Sequence, residues 1–137
     1  MSSIEPRRIE TQSTRIRTLI VVESELLCNV IATVLRDESD IDVIGCATTV
    51  DEAAAQAPGC DVMLIHAHLS NDGSLTLTKR LSQNQLGVKV IVIGVPEIAP
   101  VILEYVEAGA AGYVLDDDSV AALLAQIRAA ARDATNI

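Results

Sequence analysis

From Val62 to Ile65 the chain has no polar residue; Asp61 stands before the run and His66 ends it, with His68 just beyond. A short run that is apolar at every position, rather than at alternate ones, suits a parallel strand covered on both faces. Such strands need helical crossovers on either side of the sheet, so this stretch constrains the whole chain to an α/β plan. In open parallel sheets, chemistry collects just past the carboxyl ends of the strands, which makes His66 the residue at which function is to be read.

The rest of the chain supplies the partners this strand needs. Strand-like runs at 17–22, 41–46, 88–94 and 113–115 join the one at 61–66, and a helix-like segment follows each. Ser24 is placed to cap a first helix whose apolar set is Leu26, Leu27, Val30, Ile31, Val34 and Leu35. Thr49 precedes a short Ala-rich helix at 50–57, which Pro58 and Gly59 stop. Asn71, Asp72 and Gly73 form a turn before a helix at 74–82. Pro96 and Pro100 frame the start of a helix at 101–108 that Gly109 closes. Asp116, Asp117, Asp118 and Ser119 open the last helix, 120–132, with Val120, Leu123, Leu124 and Ile127 expected inward.

Five strand-then-helix repeats predict a doubly wound five-stranded parallel sheet with five helices. Strand order 2-1-3-4-5, flavodoxin-like, is the expected arrangement, with its switch point between strands 1 and 3. The ends of those strands, Val22 with Glu23 and Ile65 with His66, are then neighbours. Residues 1–15 read as a disordered tail, 16–133 as the domain, and 134–137 as a linker or free end.

Composition narrows what the domain can do. Residues 1–17 carry +2 and the rest −11, for a net charge of −9 over 137 residues. So acidic a body cannot hold a phosphate backbone by neutralising it, so direct nucleic-acid binding is not expected. The loop 22–25 is acidic and lacks glycine, which argues against cradling a nucleotide or flavin phosphate. Cys28, Cys46 and Cys60 are odd in number and lack metal spacing, and are expected as buried, reduced thiols of a cytoplasmic protein. No run is long enough to span a bilayer, so no membrane association is expected.

Several segments resemble one family. Residues 19–24, 61–65 and above all 103–115, with Ala108-Gly109-Ala110-Ala111-Gly112-Tyr113, are similar to response-regulator receiver domains, in particular those that precede a LuxR-type helix-turn-helix. The resemblance covers about Arg15 to Arg132. It implies a phosphoacceptor aspartate at the end of strand 3, where this chain has His66. It implies two metal-binding acids after strand 1, where this chain has Val22 and Glu23. It implies a hydroxyl residue ending strand 4 and a lysine ending strand 5, where Gly94 and Asp116 stand. The aromatic that reports phosphorylation in the family is present as Tyr113.

Aspartyl phosphate needs a carboxylate nucleophile, and Mg²⁺ needs an array of oxygen ligands. Developing phosphoryl charge needs cations, and Asp116 would place an anion there. Phosphorylation and Mg²⁺ binding are therefore expected to be lost, and no cofactor is expected.

Three readings of His66 stand open: a vestigial residue bonded to its neighbours, a swapped partner of Asp116 and Glu23 that senses pH, or a metal ligand with His68 and Glu23. Two functions follow. One is a non-enzymatic signalling module working through protein contacts. The resemblance implies a homodimer through the fourth helix, fifth strand and fifth helix, or through the first and fifth helices, and DNA binding through a downstream helix-turn-helix if one follows Ile137. The other is a ligand-, metal- or pH-responsive domain that uses the vacated pocket.

Overall fold

The computed structural model describes residues 15–84 and 86–135. Five strands form one parallel sheet: β1 (Ile16–Val21), β2 (Ile41–Ala47), β3 (Val62–His66), β4 (Lys89–Val95) and β5 (Gly112–Leu115). Their order is β2-β1-β3-β4-β5, as the repeat pattern requires. Five α-helices connect and follow them: α1 (Glu25–Arg36), α2 (Val50–Gln56), α3 (Gly73–Asn84), α4 (Ala99–Ala108) and α5 (Val120–Thr135). Single 3₁₀ turns cover Ala57–Gly59 and Ser70–Asp72.

The pleat sorts the central strands onto two faces. Leu19, Val21, Met63, Ile65, Val90 and Val92 point to the side covered by α2, α3 and α4. Ile20, Val22, Val62, Leu64, Ile91 and Ile93 point to the side covered by α1 and α5. Both sets are buried, which explains the unbroken apolar run in β3. With almost no aromatics to fill space, the core rests on branched aliphatic side chains, each worth about 1.5–3 kcal/mol when fully buried.

Local signals place the elements. Ser24 Oγ accepts the Leu27 N–H at the head of α1, and Thr49 Oγ1 accepts the Glu52 N–H at the head of α2. Ser119 Oγ accepts the Ala122 N–H at the head of α5. Gly109 ends α4 with φ 105°, a left-handed conformation that only glycine adopts without penalty.

Several sequence expectations need correction. On α1, Leu26 and Val30 are exposed, at 74% and 53%; the inward stripe is Cys28, Ala32 and Leu35. The apolar set of that helix is wider than the strip the sheet can cover. Val120 is likewise exposed, and the inward face of α5 is carried by Ile127 and Ala130. That helix also runs to Thr135, into the span expected as a linker or free end, because its alanines favour helix.

At the other end, Arg15, which fell in the expected tail, belongs with Arg17 to the folded body. Arg15 Nη2 donates to the Ile41 carbonyl (3.5 Å), and Arg17 grips Asp61 through Nε (3.1 Å) and Nη2 (3.0 Å). Most of the expected tail lies outside the described residues, as do 136–137. Finally, Cys28 and Cys46 are not free thiols: they are joined in a disulfide between α1 and β2, with Cα atoms 6.4 Å apart. Sequence spacing could not reveal this, since they lie 18 positions apart and only the crossover brings them together. Cys60 alone is a free, buried cysteine among the described residues.

Candidate functional site

The switch point forms where β1 and β3 lie side by side, with Val21 paired to Ile65. The five positions singled out from sequence all reach this corner or its rim, yet they do not act as one cluster. Val22 is fully buried in the core beneath α1 and α5 and offers no ligand. Glu23 is exposed, and its Oε2 accepts the Ser70 N–H at 2.8 Å across the corner. That hydrogen bond holds the Glu23 carboxyl below the usual carboxylate range, helped slightly by the distant His66 ring.

His66 ends β3, half-buried, in register with Ile93 of β4. Its Nδ1 accepts the His68 N–H at 3.2 Å, which leaves the proton of the neutral ring on Nε2. The ring of His68 lies 5.2 Å away, tilted by 46°. Burial pushes the His66 pKa below its ordinary value, and His68 adds to this; Asp116 and Glu23 pull the other way without overcoming it. Among the described residues no hydrogen bond or ion pair joins His66 to either carboxylate. The swapped pair of His66 with Asp116 and Glu23, one of the three readings the sequence left open, makes no such contact, and burial disfavours the charged ring it would need.

Gly94 shapes the space on the other side of the ring. It sits at φ +71° in an irregularity of the β4–β5 pairing, between Ile93 and Val95. A Cβ built on it would lie 2.9 Å from His66 Nε2 and 3.3 Å from Cδ2. The imidazole thus packs over bare backbone where a side chain at position 94 would stand. Asp116 follows β5, exposed, with its N–H bonded to the Val95 carbonyl at 2.9 Å.

The metal set considered from sequence is not assembled. Glu23 is engaged by Ser70 and His66 Nδ1 by His68. Among the described residues no three His, Cys, Asp or Glu side chains group closely enough to hold a metal ion. Glu23, engaged by Ser70, and the exposed Asp116, with an aliphatic Val22 and a glycine at 94, make a sparse oxygen set for Mg²⁺, which takes near-octahedral oxygen ligands.

Two features escaped the sequence reading. Tyr105 is buried with its hydroxyl 2.8 Å from Ser74 Oγ and 3.4 Å from the Ala67 carbonyl. Ser74 Oγ itself donates to Ala67 at 3.1 Å. The residue after His66 is thus tied to both α3 and α4. No periodicity marks a buried hydroxyl, so only packing shows it. The second feature is a cleft of about 330 Å³ between the β2–α2 and β3–α3 loops, lined by Glu23, Thr48, Thr49, Ser70, Asn71 and Thr76 among others. Tyr113, by contrast, is exposed at 37% on the edge strand β5.

No family model matches the chain. The fold is that of a LuxR-family two-component response regulator from Aurantimonas sp. SI85-9A1, with TM-score 0.81 and 19% identity, covering 87% of this chain and 86% of that one. It also matches the response regulator domain of CheB from Thermotoga maritima, with TM-score 0.77 and 23% identity, over 86% of this chain and 97% of that one. In sequence, the chain is 30% identical over 115 residues to the response regulator GacA of Pseudomonas viridiflava, covering 82% of this chain and 54% of GacA. Sheet order, helix placement and sequence together make this chain a response-regulator receiver domain. Its relatives in sequence include GacA and the response regulator UvrY of Escherichia coli, and it spans about half the length of each.

Proposed function

We propose that this chain is an atypical receiver, the regulatory part of a LuxR-type transcription regulator, that signals through protein contacts and takes up no phosphoryl group. The observation that carries the reading is His66 at the end of β3, a neutral imidazole seated on Gly94. An imidazole held neutral there is no carboxylate nucleophile, and nothing cationic among the four substituted positions would steady a phosphoryl group. Mg²⁺ binding is lost with it, since Val22 and His66 replace oxygen ligands.

On this reading the domain is a non-enzymatic, cytoplasmic module that dimerises and does not itself bind DNA, a role left to a downstream helix-turn-helix if one follows Ile137. Support for the dimer comes from apolar side chains left in solvent on α4, β5 and α5: Leu103, Val106, Tyr113 and Val120. Leu26 and Val30 on α1 support the other expected face, made by α1 and α5. No helix among the described residues is long and apolar enough to cross a membrane.

The test is incubation with acetyl phosphate and Mg²⁺ followed by intact mass measurement. The expected result is an unchanged mass; stoichiometric gain of one phosphoryl group would overturn the proposal. A second reading, a ligand-responsive domain, draws on the hydroxyl-lined cleft beside Glu23. A thermal-shift screen against small polar compounds and metals at several pH values separates the two, because only the second predicts a saturable shift.

A further inference from the structure

We propose that Cys28 and Cys46 form a reversible, oxidation-responsive modification site on this receiver. Three observations place it. The two sulfurs meet between α1 and β2, bridging a helix to an edge strand paired only with β1. Cys28 is buried and Cys46 exposed, and both line an open cleft of about 250 Å³ with Glu25, Asn29, Thr48 and Glu52, so an oxidant entering it meets the more exposed Cys46 first. The third thiol stands apart: burial pushes the Cys60 thiol up to about 12, which keeps it out of exchange.

The step balances with a neutral peroxide as oxidant. The Cys46 thiol gives up its proton, the sulfur attacks one peroxide oxygen, the O–O bond breaks, and the departing hydroxide takes up that proton as water, leaving Cys46 a sulfenic acid. The Cys28 sulfur then attacks Cys46, expelling hydroxide, which takes up the thiol proton as a second water. Two thiols are oxidised by two electrons and one peroxide is reduced.

The site is wired to the switch-point corner. Thr48 lines both the disulfide cleft and the cleft beside Glu23, and its N–H and hydroxyl both donate to Glu52 Oε1, at 2.9 and 3.0 Å. Closing or opening the bond therefore acts on the β2–α2 loop. This gives a receiver an input other than phosphate, and in that sense rests on the function proposed above. The site itself does not: a chain that took up phosphate yet formed the bond would overturn that reading and leave this one standing.

The test uses the 137-residue chain reduced with dithiothreitol, then exposed to hydrogen peroxide, with differential alkylation and mass spectrometry. The expected result is a folded reduced chain, loss of two hydrogens on oxidation, a Cys28–Cys46 crosslinked peptide, and reversal by dithiothreitol. Oxidation should raise the melting midpoint by about 10 °C and shift the amide resonances of Thr48 and Glu52. Cys46→Ser, at an exposed position, should melt like the reduced chain and lose the response. Failure of the pair to oxidise, pairing through Cys60, or unfolding of the wild-type chain on reduction would each overturn the proposal.

Discussion

The His66 imidazole and Gly94 occupy one space: a methyl group on residue 94 would stand 2.9 Å from Nε2 of the ring. The ring at the end of β3 therefore takes the place that a side chain on residue 94, at the end of β4, would fill. A receiver carrying the imidazole with any larger residue at position 94 would have to turn the ring and break its bond from the His68 N–H.

Gly94→Ala should destabilise the domain by about 1–2 kcal/mol from the positive φ alone, with the ring contact adding to it. Urea denaturation of Gly94→Ala, His66→Ala and the double variant separates the parts. The contact predicts that the Gly94 substitution costs less when His66 is already alanine, with a coupling on the order of 1 kcal/mol. Strict additivity would show that ring and methyl do not compete.

Acid should weaken the fold through His66. Its folded pKa lies below its ordinary value, mainly because of burial. The unfolded chain therefore binds more protons in the range between the two values, and stability rises with pH there. The contribution is fully present above the ordinary histidine value of about 6.5 and is lost as pH falls through the lower folded value. His66→Gln should flatten the slope of unfolding free energy just below the ordinary histidine value of about 6.5. An NMR titration placing the His66 midpoint above that of an unfolded peptide would refute the sign.

Tyr105→Phe keeps the ring and removes the hydroxyl that meets Ser74 and the Ala67 carbonyl. The expected cost is about 1 kcal/mol, the usual net worth of a buried hydrogen bond. Ser74→Ala should cost at least as much, since Ser74 Oγ bonds both partners and is buried. The double variant should lose less than the sum, because both substitutions dismantle one network. Chemical denaturation of the three proteins measures this.

Leu103→Glu together with Val106→Glu should leave the fold intact, because both side chains already face solvent. If α4, β5 and α5 form the dimer face, analytical ultracentrifugation should show the variant as a monomer under conditions where the parent chain associates. Dissociation by Leu26→Glu instead would assign the contact to α1 and α5.

Much of this architecture was legible in order along the chain. Burial of both faces of a parallel sheet leaves unbroken apolar runs such as Val62 to Ile65, and caps such as Ser24, Thr49 and Gly109 act within a few residues of themselves. Strand order followed from alternation and handedness, and with it the meeting of Glu23 with the end of β3. The sequence by itself therefore determined the sheet, its switch point and the identity of the residues gathered there.

The tertiary structure alone decided how those residues relate. That Glu23 takes a backbone N–H from Ser70, that His66 is desolvated onto Gly94 rather than paired with Asp116, and that Tyr105 reaches Ala67 all depend on distances across 28 to 47 positions of chain. The same holds for the outward turn of Leu26 and Val30, and for the meeting of Cys28 with Cys46. Periodicity reports which side of an element is apolar. How much of that side the neighbouring layer covers, and which polar atom lies within 3 Å of which, is fixed only when the layers close.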